Sequence, residues 1–249
     1  IFSIIIFITR NGVLSEHSFK TGDFDGLLTL FTTSYLITFF IATEHPDKIR
    51  YNILFFLFFI LAIFTKSSQS LIFIPGIIVY SIIRKYNIFS KKNLLFASII
   101  MILLIIYYLV REIITPEYIS SVIYNEFSGR LMTPIEGHQE PWHYYLHNLF
   151  YYRFGQIFSI LSLTSIIFIL YDKLMNYNNN QNLLLNNFIF YLIINCFIYI
   201  IVITTAKTKC EWYDIPLLPL FSIISAFSIY RIITFVFNIK YFKYFIINN

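Results

Sequence analysis

Residues 94–110 read LLFASIIMILLIIYYLV, a run of seventeen residues without a charged side chain. A helix of that length is about 25 Å long, close to the hydrocarbon thickness of a bilayer. The whole chain has a similar character, because 58% of its 249 residues are hydrophobic and only 12% are charged. Soluble domains carry about a quarter charged residues. The composition therefore excludes a soluble enzyme, a disordered chain and a compact nucleic-acid-binding protein, and no nucleic acid is expected as a partner.

Apolar runs recur along the sequence, and we predict an all-α, polytopic integral membrane protein in which residues 1–249 form a single transmembrane domain. Backbone groups in lipid must be hydrogen-bonded internally, so each run is expected to be helical. About seven complete spans are predicted, at 24–42, 51–64, 69–83, 94–110, 154–170, 187–205 and 214–236. Residues 1–9 are interpreted as the remainder of a further helix, so we expect sequence to precede Ile1.

The basic residues predict which ends of the spans face the cytoplasm. Arg84, Lys85, Lys91 and Lys92 lie in one short loop, and such loops are typically cytoplasmic. Successive spans cross the membrane in alternating directions, so counting from that loop predicts which segments are non-cytoplasmic. These are 10–23, 65–68, 111–153 (an outer juxtamembrane segment) and 206–213. With Asp25 and Asp214 at the edges of their spans included, ten of the thirteen Asp and Glu residues then fall on the outer face. Long polar loops alone can produce this concentration; a chemical site is the interpretation that we favour.

Two carboxylates, Asp23 and Asp25, mark the point where the first complete span enters the membrane. Ionisable groups at that depth are costly unless they are paired or face water, so they are functional candidates. The alternative is helix capping, in which these side chains accept from free N–H groups and favour the helix dipole.

Histidines concentrate in the segment 111–153. His143 and His147 are four residues apart, so they share one face of a helix, and His138 or Glu140 could complete a zinc site. A single metal or phosphate contact by His138 is a second interpretation. The aromatic residues around them are typical of a helix lying at the lipid headgroups.

Three lysines are also predicted to lie at the non-cytoplasmic face. Lys66, Lys207 and Lys209 could neutralise a phosphate, or each could extend along the lipid to the interface as an anchor.

Four segments in order over about residues 15–225 resemble the aminoarabinose transferase and protein O-mannosyltransferase superfamily. These are polytopic glycosyltransferases with the GT-C fold that use polyprenyl-phosphate sugars. Residues 17–25, HSFKTGDFD, look like the family's His-x-x-Arg-Thr-Gly-Asp-x-Asp segment, with Lys20 in place of Arg. Residues 64–71, FTKSSQSL, are similar to its Leu-Thr-Lys-Gly turn, with Ser67 in place of Gly. Residues 130–145 resemble its Arg…Gly-His-x-x-Pro…Tyr-Tyr segment, and residues 208–219 its Thr-Lys…Tyr…Pro-x-x-Pro signature.

The resemblance implies a glycosyltransferase in the cell (inner) membrane whose active face is non-cytoplasmic. It would transfer a hexosyl or pentosyl group from a polyprenyl-phosphate carrier to a lipid, glycan or protein acceptor by inverting displacement. Asp25, supported by Asp23, would organise the catalytic site, and His138 and His143 would contact a divalent metal ion, the one cofactor expected. The phosphate would be bound by the cations Lys66, Lys207, Lys209, Lys20 and Arg130. Membrane lipids are the remaining partners.

The family's first outer loop carries an acidic residue assigned as the catalytic base, and we expect that loop to precede Ile1. A truncated, non-catalytic remnant is therefore one alternative. A transporter or flippase of lipid-linked sugars is the other, and it would place ionisable residues near the middle of the bilayer.

Overall fold

The computed structural model describes residues 1–15, 18–125, 137–174 and 180–247, and these contain helices and no β-strand. The predicted all-α class is confirmed. The α-helices are α1 Phe2–Ile8, α2 Asn11–Leu14, α3 Phe24–Glu44, α4 Ile49–Lys66, α5 Ile74–Ile83, α6 Lys91–Ile114, α7 Tyr118–Val122, α8 Tyr144–Asn148, α9 Gln156–Leu174, α10 Asn180–Thr205 and α11 Leu218–Ile247. The described residues also form two 3₁₀ segments, Ser67–Leu71 and Glu211–Leu217, and a π-helical turn, Leu149–Arg153.

Six helical segments within the described residues are long and apolar enough to cross a membrane, which makes the chain an integral membrane protein. They are Phe24–Glu44, Ile49–Leu71, Lys91–Ile114, Gln156–Leu174, Leu183–Thr205 and Glu211–Phe237. Six of the seven predicted spans correspond to these segments. The seventh, predicted at 69–83, contains the end of one 3₁₀ segment and the ten-residue helix α5. Residues 1–9, which were predicted to be the remainder of a further span, contain the seven-residue helix α1.

Two ion pairs show how the chain runs between α4 and α5. Lys66 pairs with Asp25 at the start of α3, and Arg84 pairs with Glu44 at its end. Residues 66–84 therefore run the length of α3, which is about 28 Å between its two acids. Helix α5 alone is only about 15 Å long, and the preceding 3₁₀ segment adds about 10 Å. We call the two ends of the helical bundle the Asp25 end and the Glu44 end.

An aromatic core holds α3, α4, α5 and α10 together. The Tyr35 ring packs edge-on against Phe59 at 5.6 Å, and the Phe73 ring lies 4.4 Å from that of Tyr199. Such pairs contribute about 0.5–1.5 kcal/mol beyond the burial of their area. Because lipid is as apolar as these side chains, close packing rather than exclusion from water selects the partners.

Helices α9 and α11 form a second packed pair and run in the same direction. Ser162 and Ser225 hydroxyls lie 2.7 Å apart, and further along both helices Asp172 pairs with Arg231. Asn186 of α10 donates to the same Asp172 carboxylate at 2.8 Å. This buried network ties three helices together at the Glu44 end.

Helix α6 packs along α4, with Phe96 against Phe56 at 5.2 Å and Tyr107 against Phe64 at 5.2 Å. Its last turns also contact α7, and most of its apolar side chains are exposed. This exposure is typical of a helix surrounded by lipid.

Gly76 provides a test of the packing between α5 and α10. A Cβ at this position would lie 2.4 Å from Asn195 Oδ1 and 3.1 Å from Asn195 Cα, so neither side chain nor backbone leaves room. Gly76→Val should destabilise the protein by about 1–3 kcal/mol, the usual cost of overpacking. We expect a lower unfolding temperature in detergent, whereas Ala97→Val on the exposed face of α6 should leave it unchanged. Equal unfolding temperatures for both variants would contradict this packing.

Candidate functional site

The Asp25–Lys66 ion pair is the central feature of the Asp25 end. Asp25 lies in the first turn of α3, and Lys66 is the last residue of α4. Lys66 Nζ lies 2.8 Å from both carboxylate oxygens of Asp25. The carboxylate also lies at the positive end of the α3 dipole, which attracts a negatively charged group. Sequence reasoning selected both residues but did not predict that they pair.

The two partners differ in their access to solvent. The Asp25 side chain is 5% exposed and that of Lys66 is 24% exposed. An anion that approaches this end therefore reaches the ammonium group before the carboxylate. Removing either charge alone would leave the other partly buried without its counter-ion, which is costly in a low-dielectric environment.

Asp23 has a different environment. It occupies the N-cap position of α3 but makes no capping hydrogen bond through its side chain, and Thr21 Oγ1 donates to its carboxylate at 2.8 Å. Side-chain capping therefore does not account for Asp23. The neighbouring Lys20 is exposed to solvent, and His17 lies outside the described residues.

A second charged cluster lies at the same end and is centred on Arg153. The guanidinium group lies 3.7 Å from Asp214 Oδ1 and 3.6 Å from Glu211 Oε2, and it donates to the Ser15 hydroxyl. Asn148 Nδ2 donates to Asp214 Oδ2 at 3.2 Å. Asp214 is fully buried, and its Oδ1 accepts no hydrogen bond among the described residues. Arg153 thus joins Ser15, in the chain before α3, to the 3₁₀ segment Glu211–Leu217.

The π-helical turn Leu149–Arg153 places Arg153 in this cluster. Such turns are rare and are common at functional sites. Gly12 lies close beside it, because a Cβ there would lie 2.8 Å from Leu218 Cδ1 and 3.2 Å from Arg153 Cδ.

Tyr199 lies between the two charged clusters. Its hydroxyl donates to the Tyr213 carbonyl at 2.9 Å, and it interacts electrostatically with both Asp25 and Asp214. The 3₁₀ segment Glu211–Leu217 packs against α3, which brings Asp214 to the same end as Asp25. The two clusters therefore belong to one region of the bundle.

Tyr145 fixes the loop that precedes this 3₁₀ segment. Its hydroxyl donates to the Cys210 carbonyl at 3.1 Å, and burial raises the pKa of Tyr145 well above its ordinary value. The phenol therefore stays protonated and remains a hydrogen-bond donor.

His138 and Lys209 are also brought together at this end. The Lys209 backbone N–H donates to the His138 carbonyl at 3.1 Å, and the His138 ring lies edge-on to Trp212 at 5.9 Å. Lys209 is nearly buried, and its ammonium group donates to the Ala206 carbonyl at 3.0 Å. Lys207 is exposed. Of the predicted phosphate ligands, Lys20 and Lys207 are therefore the exposed ones, Lys66 is 24% exposed, and Arg130 lies outside the described residues.

The predicted three-ligand zinc site is not assembled. His143, His147, His138 and Glu140 are all described, yet no three His, Cys, Asp or Glu side chains in the described part of the chain are grouped to hold a metal ion. His143 lies just before the five-residue helix α8 and faces Trp142, whereas His147 packs on Tyr151 and Tyr152. Ring contacts of this kind are typical of aromatic residues at the membrane–water interface.

Sequence reasoning missed Arg153, Asn148 and Tyr199, and it counted Asp214 only as a charge. Arg153 could have been selected from the sequence, because it is a basic residue directly before the predicted span 154–170. Tyr199 had none, because one tyrosine among many in an apolar helix resembles the core residues around it.

No protein-family model, curated protein or solved structure matches this chain.

A double-mutant cycle tests the Asp25–Lys66 pair. Lys66→Met leaves a buried carboxylate without its partner and should lower the free energy of unfolding by about 2–3 kcal/mol, somewhat less than for a fully buried pair. Asp25→Asn/Lys66→Met removes both charges and should recover at least half of this loss. The measurement is thermal or denaturant unfolding in detergent. Additive losses in the double variant would show that the two side chains do not interact.

Proposed function

We propose that this chain is the membrane portion of a glycosyltransferase that transfers a sugar from a polyprenyl-phosphate carrier to a lipid, glycan or protein acceptor. The reaction takes place at the non-cytoplasmic face of the cell membrane. The resemblance of four ordered segments to polyprenyl-phosphate-sugar transferases, with their GT-C fold, supports the class. The observation that carries the proposal is the pairing of Asp25 with Lys66, since a buried carboxylate and a more exposed cation meet where a lipid-linked phosphate would arrive.

The pair suggests how phosphate binding and proton transfer are coupled. The donor phosphate takes Lys66 as its counter-ion, which releases the Asp25 carboxylate from the ammonium group. In this proposal Asp25, and not the acidic residue of the family's first outer loop, then accepts the proton of the acceptor hydroxyl while the acceptor oxygen forms a bond to the anomeric carbon. The bond between that carbon and the phosphate oxygen breaks, and Lys66 stabilises the departing phosphate. One direct displacement inverts the anomeric configuration.

The remaining residues have supporting roles in this proposal. Lys207 and Lys20, which are exposed, attract the phosphate as it approaches. Arg153 and Asp214 act as positioning residues, because they hold the segment Glu211–Leu217 against α3. Asp23 supports the start of α3 beside Asp25. No step is assigned to a metal ion.

We also infer that α5 and its preceding 3₁₀ segment make a seventh crossing of the membrane. Residues 66–84 connect the two ends of α3, and alternation of the spans requires one passage there. This crossing supports the assignment of the Asp25 end to the non-cytoplasmic side and of the Glu44 end, with its basic loop, to the cytoplasmic side.

The main alternative is a transporter of lipid-linked sugars. Transporter sites lie near the bilayer midplane, often on broken helices. The ion pairs found among the described residues instead lie near the ends of the apolar membrane segments, which favours chemistry at the interface.

Sugar transfer by the full-length protein tests this proposal. Asp25→Asn keeps the size of the side chain but removes its basicity, so transfer should fall by about 10²–10⁴-fold. The assay follows radiolabel from a polyprenyl-phosphate sugar to acceptor in membrane vesicles. Asp47→Asn, a matched change at the Glu44 end, should retain the wild-type rate.

Two outcomes would contradict the proposal. Near-normal transfer by Asp25→Asn would remove Asp25 from the reaction. Movement of labelled donor across vesicles without any transfer by the wild-type protein would identify a transporter.

A further inference from the structure

The Glu44 end carries a concentration of positive charge that the proposed reaction does not use. Two loops contribute to it, one between α3 and α4 and one between α5 and α6. We call this cluster the basic surface, and it consists of Lys48, Arg50, Arg84, Lys85, Lys91 and Lys92, all exposed.

Specific contacts hold the two loops together. Arg84 Nη2 lies 3.2 Å from Glu44 Oε1, and Lys92 Nζ donates to the Pro46 carbonyl at 3.4 Å. Tyr86 packs edge-on against Phe39 at 5.8 Å, which fixes the second loop on α3. The basic residues of both loops therefore form one surface.

This surface has a large excess of positive charge. Glu44 and Asp47 are the acids of these two loops, so the six cations exceed the acids by four. Within the described residues, Arg84 is the one member of the basic surface that forms an ion pair with a side chain. Of the other five, Lys92 contacts the Pro46 carbonyl and Arg50 donates to the Tyr51 hydroxyl, and no carboxylate neutralises any of the five among the described residues.

Two helix N-termini strengthen the preference for an anion. Helices α4 and α6 both begin here, and neither has an acidic residue in its first turn. Lys91 and Lys92 instead occupy the first turn of α6, where the helix dipole opposes a positive charge. A bound anion would relieve this repulsion and accept from the free N–H groups of the helix start.

An apolar side chain beside the cations indicates which anion fits. Phe89 lies in the loop between Lys85 and Lys91, and 69% of its side chain is exposed. Since apolar spans begin at this surface, the ring can enter the hydrocarbon while neighbouring lysines remain at the level of the lipid phosphates. A soluble anion would use the cations but not Phe89.

We propose that the basic surface binds the phosphate groups of anionic phospholipids in the membrane that surrounds the protein. The interaction anchors the Glu44 end and is independent of sugar transfer at the Asp25 end.

Lipid titration of the full chain in detergent micelles tests this proposal. Dimyristoylphosphatidylglycerol is added, bound lipid is counted by native mass spectrometry, and dimyristoylphosphatidylcholine serves as the neutral lipid. The wild-type protein should prefer the anionic lipid. Lys85→Gln/Lys91→Gln/Lys92→Gln should weaken that binding by about a hundredfold, since each basic residue near a membrane surface contributes roughly a fivefold gain.

The matched control is Lys85→Arg/Lys91→Arg/Lys92→Arg, which keeps every charge and should bind like the wild type. If the glutamine triple variant does not fold, Lys91→Gln alone should weaken binding by about fivefold. Equal binding of the anionic lipid by wild type and glutamine variants would overturn the proposal, as would equal binding of the two lipids by the wild type. Displacement of the lipid by an equal concentration of inorganic phosphate would show a small-anion site instead.

Discussion

The rest of the Asp25 end depends on one ion pair, between Asp25 and Lys66. It joins the start of α3 to the end of α4, so it fixes the hairpin that these helices form and the direction in which the chain leaves it. In a low-dielectric environment two such charges are stable only when they meet, because each alone carries a large desolvation cost. In the proposed reaction, the pair brings a carboxylate and an ammonium group to the place where the donor phosphate would bind.

The two ends of the bundle have opposite electrostatic character. At the Asp25 end, the buried carboxylates of Asp25 and Asp214 are paired with Lys66 and Arg153. At the Glu44 end, most basic side chains extend into solvent without a carboxylate partner. The first arrangement restrains side chains and suits a site for chemistry, whereas the second suits contact with anionic lipid. This asymmetry also provides the basis for orientation, since exposed basic loops are retained on the cytoplasmic side.

The sequence predicted the membrane helices well, because long apolar runs such as 94–110 leave few alternatives. The predicted span at 69–83 contains the end of the 3₁₀ segment Ser67–Leu71 and the short helix α5, and its crossing of the membrane stays a proposal. Asp25 and Lys66 were selected separately, but their pairing spans 41 positions and has no local pattern. The histidine spacing predicted a shared helical face, and the His147 N–H does donate to the carbonyl of His143, the N-cap of α8, but the two rings pack on different aromatic partners. Arg153 and Tyr199 acquire their roles from tertiary contacts alone.

The central claim is that the residues of the Asp25 end face one compartment and the basic surface faces the other. Cysteine labelling tests it most directly, in a chain whose buried Cys196 and Cys210 are replaced by serine. A membrane-impermeant maleimide should label Lys20→Cys and Lys207→Cys in intact cells, and Lys91→Cys only after the membrane is permeabilised. Labelling of Lys20→Cys and Lys207→Cys from opposite sides, or of Lys91→Cys together with them in intact cells, would contradict the account.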